Sequence, residues 1–175
     1  MSNVIENGRD GWGEQRTRAV SWYDPMISAD AAVALPGREF LEAIIDGRLP
    51  RPPFADLVGA RLHSVDDGEA VFRCTPDEST YNPGGIVHGG LLCMLLDSAC
   101  GCSVQSLLPA GSGISTIELK VSFLSPLRAN SGELEVIGKA LRVGRQVAFS
   151  EAHARNGVGK LVGHATSSIA VVGRS

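Results

Sequence analysis

The chain has 175 residues, 43% of them hydrophobic and 20% charged, which suits one globular domain and excludes wholesale disorder. Its formal net charge is −3 and it carries no lysine/arginine run, which argues against nucleic acid or an anionic membrane as the main partner. No stretch approaches the roughly 18 consecutive apolar residues of a membrane span. The first ten residues are polar and acidic, unlike a signal peptide, so the sequence predicts a cytoplasmic protein.

The N-terminal residues 1–35 show no sustained hydrophobic period and are interpreted as an extension. Trp12, Trp22 and Tyr23 in this segment are candidates for docking on the body of the protein. The remaining residues, 36–175, are predicted to form one domain. It begins with an amphipathic helix that ends at a glycine, and a further short turn of helix follows a proline-rich break.

Strands and one long helix are predicted after these short helices. A glycine-rich loop at 79–90 leads into a helix that is apolar almost all round and ends at Pro109; such a helix must be surrounded by protein. Short turns between successive strands imply an antiparallel meander. The fold class is therefore α+β, an antiparallel sheet of five to six strands wrapped round a central helix. Strands are predicted at 60–65, 69–74, 116–124, 133–141, 145–155 and 160–172.

The four cysteines, Cys74, Cys93, Cys100 and Cys102, include no C-x-x-C pair, and the four histidines do not cluster with them. Three of the cysteines fall in the apolar helical pattern, where cysteine behaves as a small hydrophobic residue. The sequence therefore predicts reduced thiols and no metal site.

One acidic residue stands out in the long helix. Asp97 is the only carboxyl or amine between His88 and Glu118, and its neighbours are apolar. A carboxylate that loses solvation there becomes more reactive toward an electrophile. The alternative is an aspartate at a helix edge that pairs with a surface lysine, but a mid-helix aspartate has poor helix propensity, which favours a functional role.

The start of the same helix offers the complementary chemistry. Gly89 and Gly90 lie in the first turn, where backbone N–H groups lack an intrahelical acceptor and could stabilise an oxyanion. The alternative is that these glycines let the loop pass close to a neighbouring strand. No dinucleotide fingerprint or phosphate loop is present, since the G-G-I-V-H-G-G segment lacks both the spacing and the lysine.

The spacing of these two features constrains the site. Eight residues separate Gly89 from Asp97, which is about 12 Å along a helix. Asp97 therefore cannot attack a carbonyl held at the start of its own helix. A catalytic interpretation requires a second copy whose helix runs antiparallel alongside, which gives a symmetric dimer with two sites at its interface.

With these residues in place, the chain resembles the hotdog-fold thioesterases, in particular the phenylacetate-pathway (PaaI-like) acyl-CoA thioesterase family. The resemblance runs from about Leu49 to Val172 and rests on N-P-G-G-I-V-H-G-G-L-L-C-M-L-L-D and T-I-E-L-K-V-S-F-L-S-P. The family's functional residues fall on Asn82, His88, Gly89, Asp97 and Thr116, with Ser115 adjoining the last.

The resemblance implies hydrolysis of an acyl-CoA thioester without metal or organic cofactor, by a homodimer or homotetramer with shared sites. Gly89 N–H would polarise the carbonyl, Asn82 and His88 would shape the loop, and Asp97 of the partner would act as general base or nucleophile. Thr116 would orient the water or the carboxylate. Some aryl-CoA members carry a hydroxyl residue one turn after the acid, and Gly101 at that place puts their aromatic preference in doubt.

Further contacts to substrate are expected from Gly90 and Ser115, and Arg142 and Arg145 are candidates for the CoA phosphates, although exposed turn arginines are more often only solvated. Two other functions compete with the thioesterase. One is a hotdog hydratase/dehydratase, which usually places its histidine and acid in a different order. The other is a non-catalytic acyl-CoA-binding module, which would not need a lone acid in an apolar helix.

Overall fold

A six-stranded antiparallel sheet and one long helix organise the chain, in a computed structural model that describes residues 8–173. Most of the segment that argued against a signal peptide, and the last two residues of the predicted domain, lie outside the described residues. The helices are α1 (Pro25–Ala34), α2 (Gly37–Ile45), α3 (Pro53–Val58) and α4 (Gly89–Gln105). The strands are β1 (Ala60–Asp66), β2 (Glu69–Cys74), β3 (Ser112–Phe123), β4 (Leu134–Val143), β5 (Val147–Arg155) and β6 (Leu161–Gly173).

Strand β3 departs from the predicted meander. The order in the sheet is β1-β2-β4-β5-β6-β3, so β3 pairs with β6 at one edge and not with β4, which follows it in sequence. The connection at 124–133 must therefore pass three strand spacings, roughly 14 Å. Ten residues can reach about 33 Å when extended, so the connection is long enough for this crossing. The meander prediction is wrong at this connection, whereas β1 pairs with β2, β4 with β5 and β5 with β6 as expected.

Helix α4 contacts all six strands of the sheet. Its closest approach is to β4, where a Cβ on Gly138 would lie 2.1 Å from the carbonyl oxygen of Ala99. Leu95, Leu96 and Ala99 are completely buried against the sheet. The α+β fold class, with the sheet wrapped round a central helix, is confirmed; it is the hotdog arrangement.

One side of α4 is less enclosed than the sequence predicted. Cys93, Met94, Asp97, Ser98 and Cys102 are only half-buried, and they form a stripe along the helix. The helix is apolar all round, but this single chain covers it fully on the sheet side only.

The N-terminal segment contains helix α1, which the sequence analysis did not identify. Its apolar residues are spread around the helix, so no period is visible in the sequence. Trp12, Trp22 and Tyr23 were predicted to dock on the body, but they remain largely exposed, at 70%, 62% and 76%, so none of them is buried within this chain. Among the described residues, no helix is both long enough and apolar enough to cross a membrane.

Candidate active site

The loop before α4 is held by its own hydrogen bonds. Asn82 Oδ1 accepts the N–H of Gly84 at 2.9 Å, and Asn82 N–H donates to the carbonyl of Ile86 at 2.8 Å. At the end of the loop, His88 N–H donates to the carbonyl of Thr80 at 2.7 Å. Asn82 thus closes a turn within the loop, which is the position where the resemblance implies a shaping role.

His88 caps the N-terminus of α4. Its Nδ1 accepts the N–H of Gly90 at 2.8 Å, which satisfies one of the free donors of the first turn. The N–H of Gly90, predicted to meet substrate, is therefore already engaged by His88. Gly89 occupies the first helical position, where no intrahelical acceptor exists, so its N–H is the donor available to a ligand.

A cavity of about 420 Å³ opens beside Gly89. The ring of Phe123 lies so close that a Cβ on Gly89 would meet its Cε1 and Cζ at 3.0 Å. Only a glycine fits without displacing this ring, which forms an apolar wall of the cavity beside Gly89. We call this space the loop cavity; its lining residues are Asn82, Ile86, Val87, His88, Gly89, Leu92, Phe123, Leu124, Ser125, Pro126 and Leu127.

Asp97 opens into a different cavity, of about 310 Å³, which we call the acid cavity. Thr116 Oγ1 donates a hydrogen bond of 2.9 Å to Asp97 Oδ1, so the predicted pair is brought together within one chain. The walls are largely apolar and come from α2, α3, β1, β2, α4 and β3. They include Leu41, Ile44, Phe54, Ala55, Leu62, Phe72, Met94, Gly101, Cys102 and Ile114.

The thiols near this cavity are poor nucleophiles. Burial raises the pKa of Cys102, which lines the acid cavity, to about 12, and burial raises the pKa of Cys100 to about 11. Both therefore stay protonated at neutral pH, and protonated thiols react slowly. Among the described residues, no group of three histidine, cysteine or acidic side chains could hold a metal ion. Asp97 is the one carboxylate among the residues that line the acid cavity.

The remaining predicted residues lie away from both cavities. Ser115 is exposed on β3, and strand alternation turns it to the face opposite Thr116. Arg142 and Arg145 are exposed at the β4–β5 connection and line neither cavity.

Two residues beside the loop cavity were missed by the sequence analysis. One is Phe123, which was assigned only as an apolar strand residue. The other is Arg128, whose guanidinium donates to the carbonyl of Gly85 at 2.9 Å. Among the described residues, no carboxylate forms an ion pair with Arg128, so most of its donors face solvent. Its proximity to the loop before α4 depends on a turn that lies far away in sequence.

Comparison with known proteins agrees with this geometry. Residues 84–162, which span the loop, α4 and most of the sheet, match the thioesterase superfamily. A protein of Halobacterium salinarum provisionally described as an esterase is 33% identical over 114 residues, which cover 62% of this chain and 74% of that protein. The chain belongs to the thioesterase superfamily.

Solved structures of superfamily members have the same fold. A phenylacetic acid degradation-related thioesterase of Ralstonia eutropha is 30% identical, with a TM-score of 0.68 over 74% of this chain and 98% of that one. A Streptococcus pneumoniae thioesterase solved with coenzyme A is 26% identical, with a TM-score of 0.60 over 66% of this chain and 90% of that one. The resemblance to phenylacetate-pathway thioesterases drawn from the sequence is confirmed.

Proposed function

We propose that this thioesterase superfamily member hydrolyses acyl-CoA thioesters to free CoA and a carboxylic acid, without metal or organic cofactor, in the cytoplasm. The observation that carries the proposal is the Asp97–Thr116 hydrogen bond at the wall of an apolar cavity. A carboxylate that is oriented by a hydroxyl beside an apolar space can act on a bound acyl group in two ways. It can attack the acyl carbon itself, or it can activate a water molecule that attacks.

The oxyanion donor and the acid come from two copies of the chain. Gly89 and Asp97 are on the same helix, about 12 Å apart, and they line separate cavities. Two features support a partner copy: the half-buried stripe of α4, and the edge strand β3, on which Ile117 and Phe123 are 62% and 58% exposed. An unpaired edge that exposes apolar side chains is a template for pairing with another chain. A homodimer, or a homotetramer built from it, would unite Gly89 of one copy with Asp97 of the other.

The reaction then follows from the two halves. The thioester carbonyl oxygen accepts a hydrogen bond from Gly89 N–H, at the positive end of α4, so negative charge that develops there is stabilised. Asp97, oriented by Thr116, either takes a proton from an attacking water or attacks the carbonyl carbon itself. In both routes the C–S bond breaks and CoA leaves as its thiolate, which is then protonated. The nucleophilic route gives a mixed anhydride, which a water molecule hydrolyses to release the acid.

A panel of acyl-CoA thioesters tests this function, with released CoA followed by a chromogenic thiol reagent. The protein's own thiols react slowly with this reagent, because burial raises the pKa of all four cysteines, Cys74, Cys93, Cys100 and Cys102. Release of CoA together with the free acid is expected. A bound but intact thioester would identify the non-catalytic module, and addition of water to an enoyl-CoA would identify the hydratase.

A further inference from the structure

A second apolar space lies next to the acid cavity, on the outer side of α3. It is a groove of about 360 Å³, and the side chains that line it are Val20, Trp22, Pro53, Phe54 and Leu57. All five are apolar. Trp22, Phe54 and Leu57 are between 51% and 62% exposed, so a contiguous apolar surface faces solvent at this groove. Surfaces of this kind mark ligand-binding grooves or interfaces.

One wall of the groove is an extended segment, residues 16–24, which we call the strap. Its first part is tied to the loop after β2 by ion pairs of Arg16 with Glu78 and of Arg18 with Asp77. At its other end, Asp24 caps α1. The strap thus runs from these ion pairs to the start of α1, and between them Trp22 borders the groove together with Phe54 and Leu57 of α3.

Phe54 connects the groove to the acid cavity. Its side chain lines both spaces, and the preceding prolines border them on either side, with Pro52 at the cavity and Pro53 at the groove. This half-exposed ring is therefore the side chain that the two spaces share. Asp97 lies on the wall of one space and Trp22 on the wall of the other.

We propose that the groove is a second acyl subsite, which takes the distal methylenes of a long-chain acyl group whose first carbons occupy the acid cavity. This inference rests on the proposed thioesterase function. Two observations favour a hydrocarbon chain as the occupant: the Phe54 ring that the two spaces share, and the absence of a charged side chain among the residues that line the groove. The chain would displace this ring to pass from one space to the other. Each buried methylene contributes roughly a fourfold gain in affinity, so a few methylenes in the groove suffice to favour long chains.

Steady-state kinetics with two substrates test the subsite. The ratio of kcat/KM for hexadecanoyl-CoA to that for octanoyl-CoA is measured below the micelle concentration of the longer substrate. We expect Trp22→Ala on one wall and Leu57→Ser on the other to lower this ratio about tenfold, while octanoyl-CoA turnover stays unchanged. Trp12→Ala removes the other tryptophan of the same N-terminal segment, which lies outside the groove, and leaves the ratio unchanged. An unchanged ratio in both groove variants, or turnover of octanoyl-CoA without turnover of hexadecanoyl-CoA in the wild type, would overturn the subsite, whereas failure of the wild type on the whole acyl-CoA panel would overturn the thioesterase function itself.

Tryptophan fluorescence provides an independent measurement on the bound state. The chain has two tryptophans, so Trp12→Phe leaves Trp22 as the sole reporter. A hexadecyl thioether of CoA, which cannot be hydrolysed, should shift the Trp22 emission to shorter wavelength, and the octyl thioether should not. A second copy of the chain could cover the groove instead. In that case Trp22 emission would depend on protein concentration and not on ligand, and Trp22→Ala would change the oligomer mass, which would also overturn the proposal.

Discussion

The first and third turns of α4 offer opposite chemistry. The first turn presents a backbone N–H beside His88 and an ordered loop, at the end of the helix where the dipole is positive. The third turn presents the carboxylate of Asp97 at the wall of an apolar cavity. One turn is suited to polarising a carbonyl and the other to attacking it, yet a single rigid helix keeps them apart. Because one rigid helix carries both groups, a single copy of the chain cannot bring them together. A hydrolytic site that uses both groups therefore needs two copies of α4.

Removal of the acid should have the largest effect on activity. Asp97→Asn keeps an oxygen that can accept the Thr116 hydrogen bond but removes the charge and the basicity. We expect kcat for CoA release to fall by about 10²–10⁴-fold while the oligomer stays intact. Size-exclusion chromatography controls for assembly, and wild-type turnover in this variant would contradict the role given to Asp97.

Removal of the donor at the first turn should cost about 10²–10³-fold in kcat. Gly89→Pro deletes this N–H at a position where helices tolerate proline, and His88 already has the extended backbone that precedes proline, with ψ at 134°. Gly89→Ala is the control, because it keeps the N–H and only crowds Phe123. Equal losses in the two variants, with circular dichroism unchanged, would assign the effect to crowding and not to the donor.

Mixing chains that lack the acid with chains that lack the Gly89 N–H tests whether the two groups act together across two copies of the chain. In a heterodimer of Asp97→Ala and Gly89→Pro chains, one site carries both defects and the other carries neither. Random exchange between the two variants should therefore restore about a quarter of the wild-type activity. No recovery after verified exchange of chains would place each site within one copy.

Loss of the hydroxyl beside the acid should have a smaller effect. Thr116→Val preserves the shape of the side chain and removes the 2.9 Å hydrogen bond to Asp97. Because this bond is to a charged group, we expect its removal to lower kcat about tenfold with little change in KM. Ser115→Ala is the matched control on the opposite face of β3 and should leave both constants unchanged. Equal effects of the two substitutions would argue that β3 is merely disturbed.

The smallest expected effect is a change in KM when an arginine that would bind the CoA phosphates is replaced. Arg128, which contacts the loop beside the loop cavity, is placed better for them than Arg142 or Arg145. Arg128→Gln should raise KM for acyl-CoA about three- to tenfold and leave KM for the phosphate-free acyl-pantetheine unchanged. A rise produced only by Arg142→Gln or Arg145→Gln would instead place the phosphates at the β4–β5 connection.

Local patterns in the sequence were sufficient to predict most helices and strands of the fold. The strand predicted at 116–124 and the apolar run of α4 depend on near neighbours in the sequence, and both elements form there, although β3 begins earlier, at Ser112, and α4 ends earlier, at Gln105. The position of β3 beside β6 was not predictable from turn length, because the 124–133 connection fits a hairpin-like turn or a crossing equally well. Helix α1 was missed because its apolar residues follow no helical period.

The candidate site was predictable where one motif contains it. Asp97, His88 and Gly89 lie within one short stretch, so the spacing of Gly89 and Asp97 alone predicts that these two do not act on one carbonyl within a single copy. The contacts of Phe123 with Gly89 and of Arg128 with Gly85 join segments more than 30 residues apart, and no pattern near either residue signals them. The proximity of Trp22 to Phe54 is of the same kind, since it depends on how the strap crosses α3.

The position of β3 in the sheet also determines when the sheet can be completed during protein synthesis. Strand β3 leaves the ribosome before β4, β5 and β6, but its partner in the sheet is β6. Phe123 therefore cannot form its strand pairing until Gly163, about 40 residues later, has been synthesised. Contacts between segments so far apart form late, because the entropy of closing the intervening loop must be overcome first. Until then the edge of β3 that pairs with β6 stays unpaired on the nascent chain, and an unpaired strand edge is prone to association with other chains.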